Sequence, residues 1–188
     1  AHDGGTVTAE VEGIRVAYPL GWFGCPPEPP ALLEAVSDED GETTLFLFAE
    51  PAGGASVFEA VVTGVGNPAA GELAYAQLAN EPVALAEGDG LRTDYAYVVS
   101  SATAARAPEV VRGRQLAWLA GDRLYVLALE GPDDEWDQTR ALFDRIAAGV
   151  AGSLLTTSAS DSGIRDPPPP CVAAAALRRL HGIYLVAR

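Results

Sequence analysis

Apolar and polar residues alternate from position 6 to 19: Val7, Ala9 and Val11 fall in phase, then Ile14, Val16 and Tyr18. A period of two puts alternate side chains on one face of a strand, so this stretch is expected as a single strand ending in a turn at Pro19-Leu20-Gly21. Pro26-Pro27-Glu28-Pro29-Pro30 follows as a stiff connector. Leu32 to Val36 and Thr43 to Phe48 flank Asp38-Glu39-Asp40-Gly41, turn-forming residues that predict a hairpin. Within it, Leu45-Phe46-Leu47-Phe48 is apolar at every position, the pattern of a central strand covered on both sides.

The period then lengthens. Ser56 and Glu59 have the spacing of a capping box, in which serine and glutamate each satisfy a backbone N–H at a helix start. Val57, Phe58, Val61, Val62 and Val65 follow at helical spacing, predicting a short helix that ends near Gly64. Residues 71–79 read as another turn or two of helix. Pro82 to Ala86 and Leu91 to Val99 read as strands around Glu87-Gly88-Asp89-Gly90. Strands at 109–119 and 123–130 meet at Ala120-Gly121-Asp122, with Leu116 and Trp118 on one face and Ala117 and Leu119 on the other. A helix from Asp133 to Val150 gathers Trp136, Phe143, Ile146, Ala147 and Val150 on one side. Its opening acids, Asp133, Asp134 and Glu135, suit the positive end of a helix dipole.

These elements form one compact α+β domain over residues 6–150, after a disordered start at 1–5. Residues 151–170 turn small and polar and end in four prolines, a linker. Residues 171–188 carry Arg178, Arg179 and Arg188 with no acid, a basic tail that reads as a short docking helix or as sequence without a role.

Composition narrows the classes of function. The net charge of -14, with no lysine, leaves no basic stripe for a phosphate backbone, so nucleic acid is not the expected partner. The acidity reads as attraction for a cationic partner, as adaptation to salt, or as arginine replacing lysine under biased coding. No apolar run approaches the roughly 20 residues that span a bilayer. The start at Ala1-His2-Asp3 is read as a removed signal peptide, placing the chain outside the cytoplasm, or as trimming. Cys25 and Cys171 are a candidate disulfide in an oxidising compartment and two thiols in a reducing one.

Chemistry is sparse. The histidines are His2 and His181, both outside the expected domain, so histidine-based general-base and nucleophile schemes are not expected there. No Walker loop, GxGxxG or HExxH occurs. Asp38-Glu39-Asp40-Gly41-Glu42 lacks the spacing and closing glutamate of a calcium loop. Ala1-His2 is a weak copper candidate through the terminal amine and imidazole. No cofactor and no other metal site is expected. Asp94 and Glu109 illustrate the carboxylate pair that a hydrolase would need. Among the aromatics, Trp22 and Phe23 beside the proline-rich stretch are the candidate exposed, protein-binding patch.

Three segments resemble a known family. Val11 to Trp22, read as a strand followed by Tyr-Pro and Gly-Trp, is similar to the opening of PsbP-like domains, which include the DcrB and LpqN groups. Gly88-Asp89-Gly90-Leu91-Arg92-Thr93-Asp94-Tyr95 resembles their middle strand. Gly121 to Leu127, with the helix from Glu135 to Ile146, resembles their closing strand and helix. The likeness spans roughly residues 10–150. It implies an antiparallel sheet with helices packed on both faces, and an accessory or adaptor role outside the cytoplasm without catalytic residues. Lipoprotein members begin with a lipidated cysteine; this sequence begins with Ala1.

The leading expectation is an exported, monomeric, non-catalytic domain that binds a protein complex or an envelope component. The alternative is a carrier of a small apolar ligand or lipid, held between the sheet and the helix at 56–64. A carboxylate-based hydrolase is the remote third.

Overall fold

A computed structural model describes residues 5–37, 42–63, 68–85, 88–99 and 108–153. The chain begins with a hairpin, β1 (Thr6–Val11) and β2 (Ile14–Pro19). The alternation expected as one strand is therefore two strands, folded back at Glu12-Gly13. Both turn residues take positive φ, 51° and 80°, as a two-residue hairpin turn of the type matching strand twist requires. Glutamate is rarely chosen there, so the turn is silent in the sequence.

Seven strands form the main sheet: β3 (Phe23–Cys25), β4 (Ala31–Val36), β5 (Thr44–Pro51), β6 (Leu73–Leu85), β7 (Gly88–Val99), β8 (Glu109–Ala120) and β9 (Arg123–Pro132). Their spatial order is β3-β4-β5-β9-β8-β7-β6, with every neighbour antiparallel. The hairpins expected around residues 38–41 and 121–122 are present as β4–β5 and β8–β9. The turn residues 38–41 themselves lie outside the described residues.

Two helices complete an α+β fold: α1 (Val57–Val62) and α2 (Trp136–Ser153), the latter entered through a 3-10 turn at Asp133–Glu135. Alternate residues of β9 serve two clusters. Tyr125, Leu127 and Leu129 pack with Phe143, Ile146 and Val150 of α2 and with Ile14, Val16 and Tyr18 of β2. Leu124 and Val126 pack with Val57, Ala60 and Val61 of α1 and with Phe46 and Phe48 of β5. The split read from β8 holds: Leu116 and Trp118 join the first cluster, Ala117 and Leu119 the second.

Residues 71–79 are not helical. They lie in a 3-10 turn (Pro68–Gly71) and in β6, a 13-residue edge strand. Alanine-rich sequence favours a helix in isolation, but pairing with β7 decides otherwise. Two register shifts, between Leu73 and Ala76 and between Gln77 and Ala79, break the period of two that would have marked the strand. Strand β3 was also hidden, because its three residues run into the prolines.

Candidate functional site

Helix α1 is short, so its caps matter. The Ser56 hydroxyl accepts a hydrogen bond from the Glu59 N–H at 3.2 Å, and Glu59 Oε2 accepts from the Ser56 N–H at 3.0 Å. That backbone bond, followed by the serine hydroxyl, holds the Glu59 carboxyl below its ordinary value. The Thr63 hydroxyl closes the other end by donating to the Glu59 carbonyl at 2.7 Å. Gln77 of β6 donates to the Val61 carbonyl at 3.3 Å and ties the helix to the sheet edge.

The capping box expected from sequence is thus formed, and it sets which residues face the sheet. Val57, Ala60 and Val61 are buried, while Phe58 and Val62, one turn apart, are 57% and 50% exposed. Next to Phe58 runs a groove of about 510 Å³, between α1 and strands β6, β7 and β8. Leu91, Leu119 and Pro82 form its apolar lining, and Asp89 and Ser56 its polar edge. The alternative reading places a ligand pocket between the sheet and the helix at 56–64; what lies there is an open groove along the first turn of α1, at Ser56, Val57 and Phe58. Its strand residues, Pro82, Leu91 and Leu119, come from three elements and carry no common sequence signal.

Two polar clusters serve the frame. Tyr95 and Tyr97 donate to the two oxygens of buried Glu130 at 2.7 and 2.9 Å. Burial, reinforced by the neighbouring Glu130 charge, raises the Tyr95 hydroxyl well above its ordinary value, so it stays a donor. Arg114 of β8 forks onto Asp94 of β7 at 2.6 and 2.8 Å and reaches Asp144 of α2 at 2.9 Å. The Asp94 bonds, with a contribution from Asp144, raise the arginine further above its ordinary value. Arg112 lies over the Trp136 ring, 4.8 Å from its centre.

The candidate residues part company. Trp22 packs against the cluster beneath α2. Phe23 pairs in register with Val36 and is 44% exposed. Cross-strand partners share a face, and Val36 pairs with Thr44, itself opposite Glu130, so Phe23 faces the α1 side. Trp22, just before β3, packs into the α2-side cluster while Phe23 faces the other side, so the two do not share one face. Cys25 is buried and disulfide-bonded; His2 near the N-terminus, and Cys171 with the rest of the tail, lie outside the described residues. Asp94 and Glu109 do not form a pair. Glu109 is opposite Val99, five residues along β7 from Asp94, which is about 17 Å at strand rise. Carboxylate hydrolases need roughly 5–9.5 Å. Among the described residues, no group of three or more His, Cys, Asp or Glu is placed to hold a metal ion.

Known structures with the same arrangement identify the fold. Cyanobacterial PsbP (CyanoP) from Synechocystis superposes with a TM-score of 0.60 at 15% identity, over 78% of this chain and 91% of that one. The fold is PsbP-like. The Ran-binding protein Mog1p of Saccharomyces cerevisiae matches with a TM-score of 0.51 at 13% identity, over 81% of this chain and 92% of its own. LpqN of Mycobacterium tuberculosis, involved in cell envelope biogenesis, matches at 0.47 and 12% identity, over 78% and 83%. No family model matches the sequence, and no curated protein does. No described helix of this PsbP-like chain is long and apolar enough to cross a membrane.

Proposed function

We propose that this PsbP-like domain is an exported, non-catalytic accessory module that docks, as a monomer, on a protein complex or envelope component. In this reading α1 and α2 cover opposite faces of the sheet, and the α1 side is the one that binds. The observation that carries it is the open ridge of Phe58 and Val62 beside the groove, an apolar surface placed where a partner can cover it. Exposed Phe23 faces the same side. The Ran-binding role of Mog1p and the PsbP identity of CyanoP make protein binding a natural use of the scaffold, although shared fold alone does not transfer function.

The test is native mass spectrometry on protein isolated gently from its source, as wild type and as Phe58→Ala/Val62→Ala. The expected result is an assembly with a second protein that the double variant loses while keeping its melting temperature, since both side chains are largely exposed. Wild-type chain with no partner overturns the reading. A second reading, the apolar ligand carrier, is favoured specifically by the groove beside α1; a reproducible small-molecule adduct on the bare chain is its signature. Phe23→Ala tests the edge of the same surface, whereas Trp22→Ala would remove a core contact and report on folding instead.

A further inference from the structure

Helix α1 has one charged residue, Glu59, and is apolar around most of its circumference. That pattern belongs to a helix covered on all sides, yet Phe58 and Val62 stand open.

Charge is sorted across the sheet in the same sense. Among the described residues, Arg92, Arg114 and Arg112 contact Asp144 and Trp136 of α2. Arg123 contacts Glu12 of the β1–β2 hairpin, and Arg15, Arg140 and Arg145 belong to that hairpin or to α2 itself. None falls on the α1 side. That side carries carboxylates instead: Glu59 on α1, Asp89 at the groove, and Glu34 and Glu50 at strand positions in register with Phe46 and Leu124. An apolar surface ringed by acids fits a segment that is apolar and cationic.

The chain contains one. Residues 171–188 combine Leu177, Leu180, Ile183 and Leu185 with Arg178, Arg179 and Arg188, and hold no acid. A third observation points to the same segment. Cys25 is disulfide-bonded and sits opposite Glu34, which is opposite Phe46 of the α1-side cluster, so its sulfur is on that side. The sequence has one other cysteine, Cys171, at the first position of the segment.

We propose that Cys25 is joined to Cys171, and that segment 171–188 docks on the α1 side, covering Phe58, Val62 and the groove. The proposal rests on the α1 side being the docking surface, and makes the tail its resident occupant, which a partner displaces. The dimensions allow it. Cys25 on β3 is four strand spacings from β8, about 19 Å, and a chain of 18 residues can extend up to about 60 Å. Closing the bond takes two protons and two electrons from the two thiols. A disulfide oxidant outside the cytoplasm accepts them and leaves as a dithiol.

Two measurements on the full chain test this. Peptide mapping without reductant is expected to recover the Cys25 peptide joined to the Cys171 peptide; free thiols, or Cys25 joined to a second copy, overturn the tether. A photoreactive benzoylphenylalanine replacing Phe58, and separately Val62, is expected to crosslink within one chain to residues 171–188. That yield should fall about tenfold once reduction removes the tether's effective concentration, and should fall again in Arg178→Glu/Arg179→Glu. A crosslink to another protein alone overturns the tail as occupant and leaves the accessory reading standing. Crosslinks to neither the tail nor a protein overturn both.

Discussion

Gly113 and Gly149 show how the same substitution changes sign with its surroundings. A Cβ on Gly113 would run into the ring of Tyr95, which is fully buried and held by Glu130. Gly113→Ala is expected to cost about 1–3 kcal/mol, the usual range for overpacking. Gly149 lies on the exposed side of α2 with open space where its Cβ would be, so Gly149→Ala is expected to stabilise by up to about 1 kcal/mol. Urea denaturation midpoints check both. Glu12 offers a pH signature at the same scale. Its carboxylate accepts two bonds from Arg123, at 2.8 and 2.7 Å, and one from the Tyr125 hydroxyl at 3.0 Å. Arginine bonding, the largest influence, holds its pKa below the ordinary value. An acid with a lowered folded pKa stabilises above its unfolded pKa, and the contribution disappears as pH falls through the folded value. Carbon-13 NMR should therefore show Glu12 titrating below the ordinary value of a free glutamate, and moving up in Arg123→Ala. None of this is legible from Glu12 in the sequence, because its partners lie 111 and 113 residues away.

Elements were legible where local signals agreed. The capping box at Ser56 and Glu59 was read from spacing and is present, as is the buried face of α2. Strand β6 is legible only in part: Pro82 to Leu85 read as strand and are strand, whereas in its first half two bulges disrupt the alternation and alanines favour helix. Helix α2 shows what binds elements to one another. Apart from Phe143, Ile146 and Val150 in the core, it is held at its side by Asp144, which shares Arg114 with Asp94 of β7. Arg114 is only 11% exposed, so its bonds are shielded from water more than surface pairs are. Arg114→Met is expected to cost about 1–3 kcal/mol, in keeping with hydrogen bonds to charged groups. Arg114→Lys should recover only part of it, since an ammonium cannot fork onto Asp94. Thermal denaturation of the two variants, with Asp144→Asn as the third corner, separates the contribution of α2 from that of β7.

The whole molecule carries a net charge of -14, and its self-repulsion opposes the compact state. Raising sodium chloride from about 10 mM to about 100 mM shortens the screening length from roughly 30 to 10 Å. The melting temperature is expected to rise by about 2–4 °C, the response of a chain this size to about 1 kcal/mol. A flat or falling profile in differential scanning calorimetry would mean that ion pairs such as Arg114–Asp94 outweigh repulsion.

By itself the sequence determined the strands β4, β5, β7, β8 and β9, both helices, the sorting of β8 residues between two clusters, and the PsbP-like resemblance. Each depends on periods and caps that act over a few neighbouring residues. The tertiary structure decided the rest. It folded residues 6–19 into a hairpin and made β6 an edge strand. It also sent Trp22 and Phe23 to opposite sides and parted Asp94 from Glu109. The groove beside α1, the exposure of Phe58 and Val62, and the sorting of arginines from α1-side carboxylates arise in the same way. Each is set by strand order and register, which join residues tens of positions apart and leave no local period to read.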